Sequence, residues 1–276
     1  MPLAVLWNHR YTSTIHCPEW DRPVIWLVSA LRSFGWNVAA HPEFKCSIDL
    51  PTCHDITAAD LVIYTHSHLG EVRGFNGRQW FLKSTGPSQF HTTLDELGFG
   101  PYSSPSYEVP NLDEISPHDV RAYFATKVPE WIRSRTSKWG DGLFGEPKLT
   151  DQQFPLVLAQ SLGDETVTSM YFGNYWSSLM GIVAALAKLE SKVVVKLHPW
   201  TDGHGGFRED GKPHPPISRR ISKELKQQLL EIGPNIEVWY GMTSVHAFLE
   251  RCKYVVTCNS TAGIEALLHK RPVISW

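Results

Sequence analysis

The sequence lacks several things, and each absence narrows its function. Its apolar runs are short, Val193–Val195 for example, and none approaches the ~20 residues that a membrane-spanning helix needs. Its start, Met1-Pro2-Leu3-Ala4-Val5-Leu6-Trp7, has neither the basic opening nor the long apolar run of a secretory signal. Charge of one sign is not in excess. Lys plus Arg number 26 and Asp plus Glu 28, a net charge of -2. A dedicated nucleic-acid binder needs a basic face to displace counterions, so that class is set aside, although a local basic pocket is not. Cysteine is scarce: the five residues, at 17, 46, 53, 252 and 258, are odd in number and contain no C-x-x-C. A disulfide framework and a zinc ribbon are therefore both unexpected, and Cys252 and Cys258 read as small core or strand residues in a reducing compartment. There is no G-x-x-x-x-G-K-[ST], no G-x-G-x-x-G opening a helix after a strand, and no G-x-S-x-G elbow. No repeat of 20–50 residues is visible. What remains is a soluble, intracellular, globular protein. Its 42% hydrophobic and 20% charged residues are ample for a core.

Short apolar runs alternate with segments of helical spacing. Leu3–Trp7 reads as a strand, Pro23–Phe34 as a helix closed by Gly35, and Trp36–Ala40, Leu61–Thr65 and Gln79–Lys83 as further strands. From about 84 to 155 the chain is rich in Pro, Gly and Ser and reads as long functional loops or a linker. We place the domain boundary near 150, giving an N-terminal α/β domain over 1–150 and a second over 151–276. The second half is regular. Strands are expected at 154–159, 193–197, 236–240, 254–258 and 272–275. Helices are expected at 175–189, 218–232, 244–251 and 261–269. Two α/β domains in series, joined by a loop-rich seam, would face a ligand cleft at the carboxyl ends of their strands.

The strongest chemical signal is Val256-Thr257-Cys258-Asn259-Ser260-Thr261-Ala262-Gly263-Ile264-Glu265. A buried strand ends in small polar residues and a helix begins at once. Its first N–H groups, the hydroxyls of Ser260 and Thr261 and the small Gly263 suit a phosphate. The same residues also suit a plain helix cap, with Glu265 in solvent. The second signal is Lys196-Leu197-His198-Pro199, which puts Lys196 or His198 at a strand's carboxyl end. The H-x-H of His66 and His68 lacks the further Asp-His of a metallohydrolase, and no metal site is expected.

These segments occur in order, and together they resemble the nucleotide-sugar-binding domain of a GT-B glycosyltransferase. More narrowly, the chain is similar to the capsule polysaccharide synthesis proteins, including the retaining β-Kdo transferases. The resemblance rests on Lys196-Leu197-His198-Pro199, Asn259-Ser260-Thr261-Ala262-Gly263-Ile264-Glu265-Ala266-Leu267 and Lys270-Arg271-Pro272-Val273. It covers about 155–276 well and is weaker over 90–150. It implies a GT-B-like fold of two Rossmann-like domains. It also implies that His198, Ser260 and Thr261 hold the phosphate and ribose of a cytidine-type donor, with Lys196, Pro199, Asn259, Gly263 and Glu265 around them.

Retaining β-Kdo transferases use an Asp as nucleophile and a Glu from the first domain as acid/base. By position these roles fall to Asp164, on the loop after the 154–159 strand, and to Glu96. The resemblance thus implies a metal-independent, retaining transferase without a cofactor. Its partners would be a nucleotide-sugar donor, CMP-Kdo for preference, and a glycan or glycolipid acceptor. The expected location is the cytoplasm, including the inner face of the membrane. The family commonly continues past the strand at 272–275 with a returning helix. The chain thus reads as a minimal member, a shortened one, or a non-catalytic nucleotide-sugar or glycan binder. A UDP-sugar transferase or epimerase of the same fold is the further alternative.

Overall fold

A computed structural model describes residues 1–7, 18–42, 44, 48–65, 75, 77–84, 92–98, 102–108, 111–135, 146–149, 152–161, 167, 171–198, 217–240 and 243–276. The chain divides into two compact units. The first holds Met1–Ala122 with Ser137–Gly140, and the second Tyr123–Thr136 with Asp141–Trp276. The second unit therefore also takes residues upstream of the boundary expected near 150.

In the first unit, β1 (Leu3–Trp7), α1 (Pro18–Ser33), β2 (Asn37–Ala40), β3 (Leu61–Thr65), β4 (Arg78–Ser84) and β5 (Thr92–Asp95) form one sheet in the order β2-β1-β3-β4-β5. The first four strands run parallel, while β5 pairs antiparallel with β4. Alternation along each strand splits the core. Ala4, Leu6, Leu61 and Ile63 pack under Val24, Val28 and Leu31 of α1. Val62, Tyr64 and Phe81 pack on the other face with Phe75.

The segment read as irregular, residues 84–155, contains β5 and an 18-residue helix, α2 (Pro117–Ser134). Both correct the expectation of continuous loop over 84–155. The helix opens where Ser116 precedes Pro117, and the Ser116 Oγ accepts the Asp119 N–H at 3.4 Å. Pro is well tolerated at a first helical position, where its missing N–H costs nothing. Of its described side chains only Val128 and Trp131 are buried, so the helix carries little apolar periodicity.

The second unit is fully parallel. Its elements are β6 (Phe154–Leu158), α3 (Tyr175–Leu189), β7 (Val193–Lys196), α4 (Ile217–Ile232), β8 (Ile236–Trp239), α5 (Val245–Leu249), β9 (Cys252–Thr257), α6 (Ala262–Leu268) and β10 (Val273–Ser275). The strand order is β10-β9-β6-β7-β8. Read from β8, this is the 3-2-1-4-5 order of a doubly wound Rossmann sheet. Both faces are covered, which explains the near-continuous apolar runs. Val157, Val193 and Val195 meet Leu179 and Val183 of α3 and Leu225 and Leu229 of α4. Leu156, Leu158 and Val194 meet Phe248 of α5 and Ala266 of α6. Pro155 sits within the central strand β6, where the register against β9 shifts between Phe154 and Leu156. Such a bulge is where a sheet tolerates a residue without an N–H. Among the described residues, no helix is long and apolar enough to cross a membrane.

Candidate functional site

In a doubly wound sheet the strand order reverses between two neighbouring strands, and their following helices leave for opposite faces. The crevice this opens at the carboxyl ends is the usual ligand position. In the second unit those strands are β6 and β9. Their register sets Leu158 opposite Thr257, and Leu158 also stands opposite Lys196 of β7. Lys196, Leu158 and Thr257 therefore form one row across three strands. Lys196 and Thr257 are buried, at 5% and 3% exposure. The Thr257 Oγ1 donates to the Leu158 carbonyl at 3.3 Å and accepts the Ser260 N–H at 3.4 Å.

Two residues further along each chain come His198, Gln160 and Asn259. The Gln160 Nε2 donates to Asn259 Oδ1 at 3.0 Å, which bridges the ends of β6 and β9. Gln160 is only 7% exposed, whereas Asn259 is exposed. The Gln160 backbone N–H donates to the phenol oxygen of Tyr175, the first residue of α3, at 2.7 Å. Tyr175 in turn stacks on Trp276 with ring centroids 6.0 Å apart. His198 lies just past β7 and is half-buried. Parallel strands are ~4.8 Å apart, so the chain at His198 and at Asn259, on either side of β6, is separated by roughly 10 Å.

The 259–263 turn is partly self-satisfied. The Ala262 N–H goes to Ser260 Oγ at 3.3 Å, and the Gly263 N–H to the Ser260 carbonyl at 2.9 Å. The Ser260 hydroxyl accepts there and retains its own proton for donation. Thr261 occupies the cap position of α6 with no side-chain capping bond. Gly263 is buried, and a Cβ there would come 3.3 Å from Thr257 Cγ2 and 3.6 Å from Val273 Cγ1. Its small size thus lets α6 lie close on β9 and β10. Glu265 is not in solvent. It is 4% exposed, and its Oε2 lies 3.9 Å from His246 Nε2 on α5. His246 Nδ1 is 2.9 Å from His269 Nε2, and Trp131 of α2 sets its ring edge-on 4.6 Å from His246. Burial, with His246, Arg271 and Arg135 nearby, holds His269 down to about 4. Glu265 therefore faces α5 from α6.

Glu96 belongs to the first unit, directly after β5. It is exposed, and its Oε1 accepts the Trp80 indole N–H at 3.1 Å. Its neighbour Asp95 is the buried carboxylate, at 8% exposure. The Asp95 oxygens accept from the N–H groups of Leu97, Gly98 and Ser104 and from the Ser104 hydroxyl. Burial opposes its ionisation, but these bonds outweigh it and leave the carboxyl below its ordinary range. Asp164, Pro199, His66 and His68 lie outside the described residues. Among the described residues no group of three His, Cys, Asp or Glu could hold a metal ion.

Sequence reading brought Lys196, His198 and Asn259–Thr261 to one sheet edge, and the fold places them there. It passed over Gln160 and Tyr175. The available signal was a polar residue closing an otherwise apolar strand at the first β-α turn of the second half.

Comparison with known proteins bears on the same region. Residues 143–276 match the family model described as capsule polysaccharide biosynthesis protein. A 127-residue stretch is 32% identical to the capsule polysaccharide export protein KpsS of Escherichia coli. It covers 45% of this chain and 29% of that protein, so the chain spans under a third of its curated relative. Among solved structures, the β-Kdo 2,4 transferase of KpsC from Thermosulfurimonas dismutans superimposes with a TM-score of 0.60. Identity is 14%, and the match covers 100% of this chain and 79% of that one. The β-Kdo 2,7 transferase of the same KpsC gives 0.52 at 15% identity, covering 99% and 78%. The expected resemblance to capsule-type GT-B proteins holds, and the fold is of that α/β class.

Proposed function

We propose, with the capsule-family match of residues 143–276 as premise, that this chain is a glycosyltransferase of surface polysaccharide synthesis. Its donor is read as a sugar nucleotide, CMP-Kdo for preference, and its acceptor as a glycan or glycolipid at the inner membrane face. The observation that carries this reading is the strand-end row His198–Gln160–Asn259 at the β6/β9 reversal, with Ser260 and Thr261 beside it. Hydroxyl, amide and imidazole groups are brought to the same carboxyl edge of the sheet there. Donors fixed before the reaction lower the cost of developing charge on the leaving phosphate.

In this reading the bond between the anomeric carbon and the phosphate oxygen breaks and CMP departs with the electron pair. Asp164 attacks the anomeric carbon and holds the sugar as an ester, which retains configuration after the second displacement. The acceptor hydroxyl then displaces Asp164 and gives its proton to Glu96. His198, Ser260 and Thr261 hold the phosphate, so the reaction is read as metal-independent.

A thermal-shift panel with CMP, UDP, GDP and their sugars tests the donor. A ligand at 100 times its Kd stabilises by about 2.7 kcal/mol, so the true base stands out. Slow release of CMP from CMP-Kdo, abolished by Asp164→Ala, marks a transferase. Binding of CMP without any release marks a non-catalytic binder. Stabilisation by no nucleotide at all would sink the reading.

A further inference from the structure

We propose that Gln160 is the positioning residue of the donor site: it orients the Asn259 amide so that its N–H groups, not its oxygen, meet the phosphate of a nucleoside monophosphate. This deepens the nucleotide-sugar reading and rests on it. An exposed Asn side chain can present either end of its amide. Toward a phosphate the two ends are opposite in effect, since the NH₂ donates while the oxygen repels the anion. At position 259 the choice is made from behind. Gln160 Nε2 donates to Asn259 Oδ1 at 3.0 Å, so that oxygen is engaged by Gln160 and Nδ2 lies outside that bond. The director is itself fixed. Gln160 is 7% exposed, its backbone N–H is held by Tyr175, and its neighbour Ala159 donates to the Lys196 carbonyl at 3.0 Å.

The placement fits no plain structural need. One row down, the Thr257 hydroxyl already ties β9 to the Leu158 carbonyl. The amide bridge repeats that link beyond the last paired residues, where the strands part and a ligand would lie. It also sits between the strand end bearing His198 and the turn bearing Ser260. A phosphate reached from both sides would therefore lie over the end of β6 and meet the Gln160–Asn259 bridge. The short helix α6 contributes less, because the N–H groups of Ala262 and Gly263 are already taken by Ser260.

The test is calorimetric titration of the full chain with CMP and with cytidine, which lacks the phosphate. The proteins are the wild type, Gln160→Ala, Asn259→Ala and the double variant, each well below its own melting temperature. Gln160→Met keeps the length without the amide and replaces Gln160→Ala if the latter fails to fold. A hydrogen bond to a charged group is worth roughly tenfold in affinity. Gln160→Ala is expected to weaken CMP about tenfold and cytidine less than about twofold. In the Asn259→Ala background it is expected to cost nothing further, because Gln160 acts through Asn259. Equal losses for CMP and cytidine would mean a structural role and overturn the proposal. Fully additive losses, or unchanged CMP affinity, would overturn it as well. If the wild type binds neither compound, the nucleotide reading itself falls. If it binds CMP and Gln160→Ala binds it equally, only the role of Gln160 falls.

Discussion

Single side chains in this protein hold local structure through charge as much as through packing. Asp95 is the clearest case. It gathers the N–H groups of Leu97, Gly98 and Ser104 around one buried carboxylate. Asp95→Ala would leave those donors without their acceptor and should cost about 2 kcal/mol, measured as a drop in denaturation midpoint. His269 works in the opposite sense. Its folded pKa is about 4, set by burial and then by His246, Arg271 and Arg135. Glu265 faces His246 from α6, while Arg135 is itself paired with Glu250 and Glu146. The ordinary value is about 6.5. Between those values the unfolded chain binds a proton that the folded chain refuses. This contribution is full above pH 6.5 and is lost as pH falls toward 4. Melting temperature should thus decline with acid through that window, and His269→Asn should flatten the decline.

At the scale of the elements, packing and backbone rules decide. Gly263→Val would push methyl groups into Thr257 and Val273 beneath α6 and should destabilise by about 2 kcal/mol. Circular dichroism melts would register it. Pro129 lies inside α2, where it lacks an N–H and crowds the preceding turn, and it is exposed. Pro129→Ala is therefore expected to raise the melting temperature. Those features also explain which elements could be read from the sequence. Every strand that is buried on both faces, β1, β3, β6, β7 and β9, announces itself as an apolar run. β5 is the polar tetrapeptide Thr-Thr-Leu-Asp on a sheet edge, so it carries no such run. α2 buries too few of its side chains to show a helical period, and its two prolines read as breakers although one of them starts it. The site was legible where a strand runs straight into small polar residues, at 196–198 and 257–261. Gln160 was hidden because its role comes from a partner 99 residues away, and no local spacing reports strand order.

At the scale of the molecule, each unit closes its own cores around its own sheet. CMP is accordingly expected to slow hydrogen exchange around 158–161, 196–198 and 257–265 and to leave β1–β5 unchanged, as read by mass spectrometry. Protection centred on the first sheet instead would contradict the donor assignment. The family match begins at residue 143, close to where the second unit resumes at Asp141. The satisfied carboxylate at position 95 has a consequence for its own strand end. Its oxygens are already committed to the turn around it, and those bonds favour the ionised form, so protonating it would weaken its own support. The adjacent Glu96 stands apart from that network: it is exposed, and its carboxylate accepts the indole N–H of Trp80.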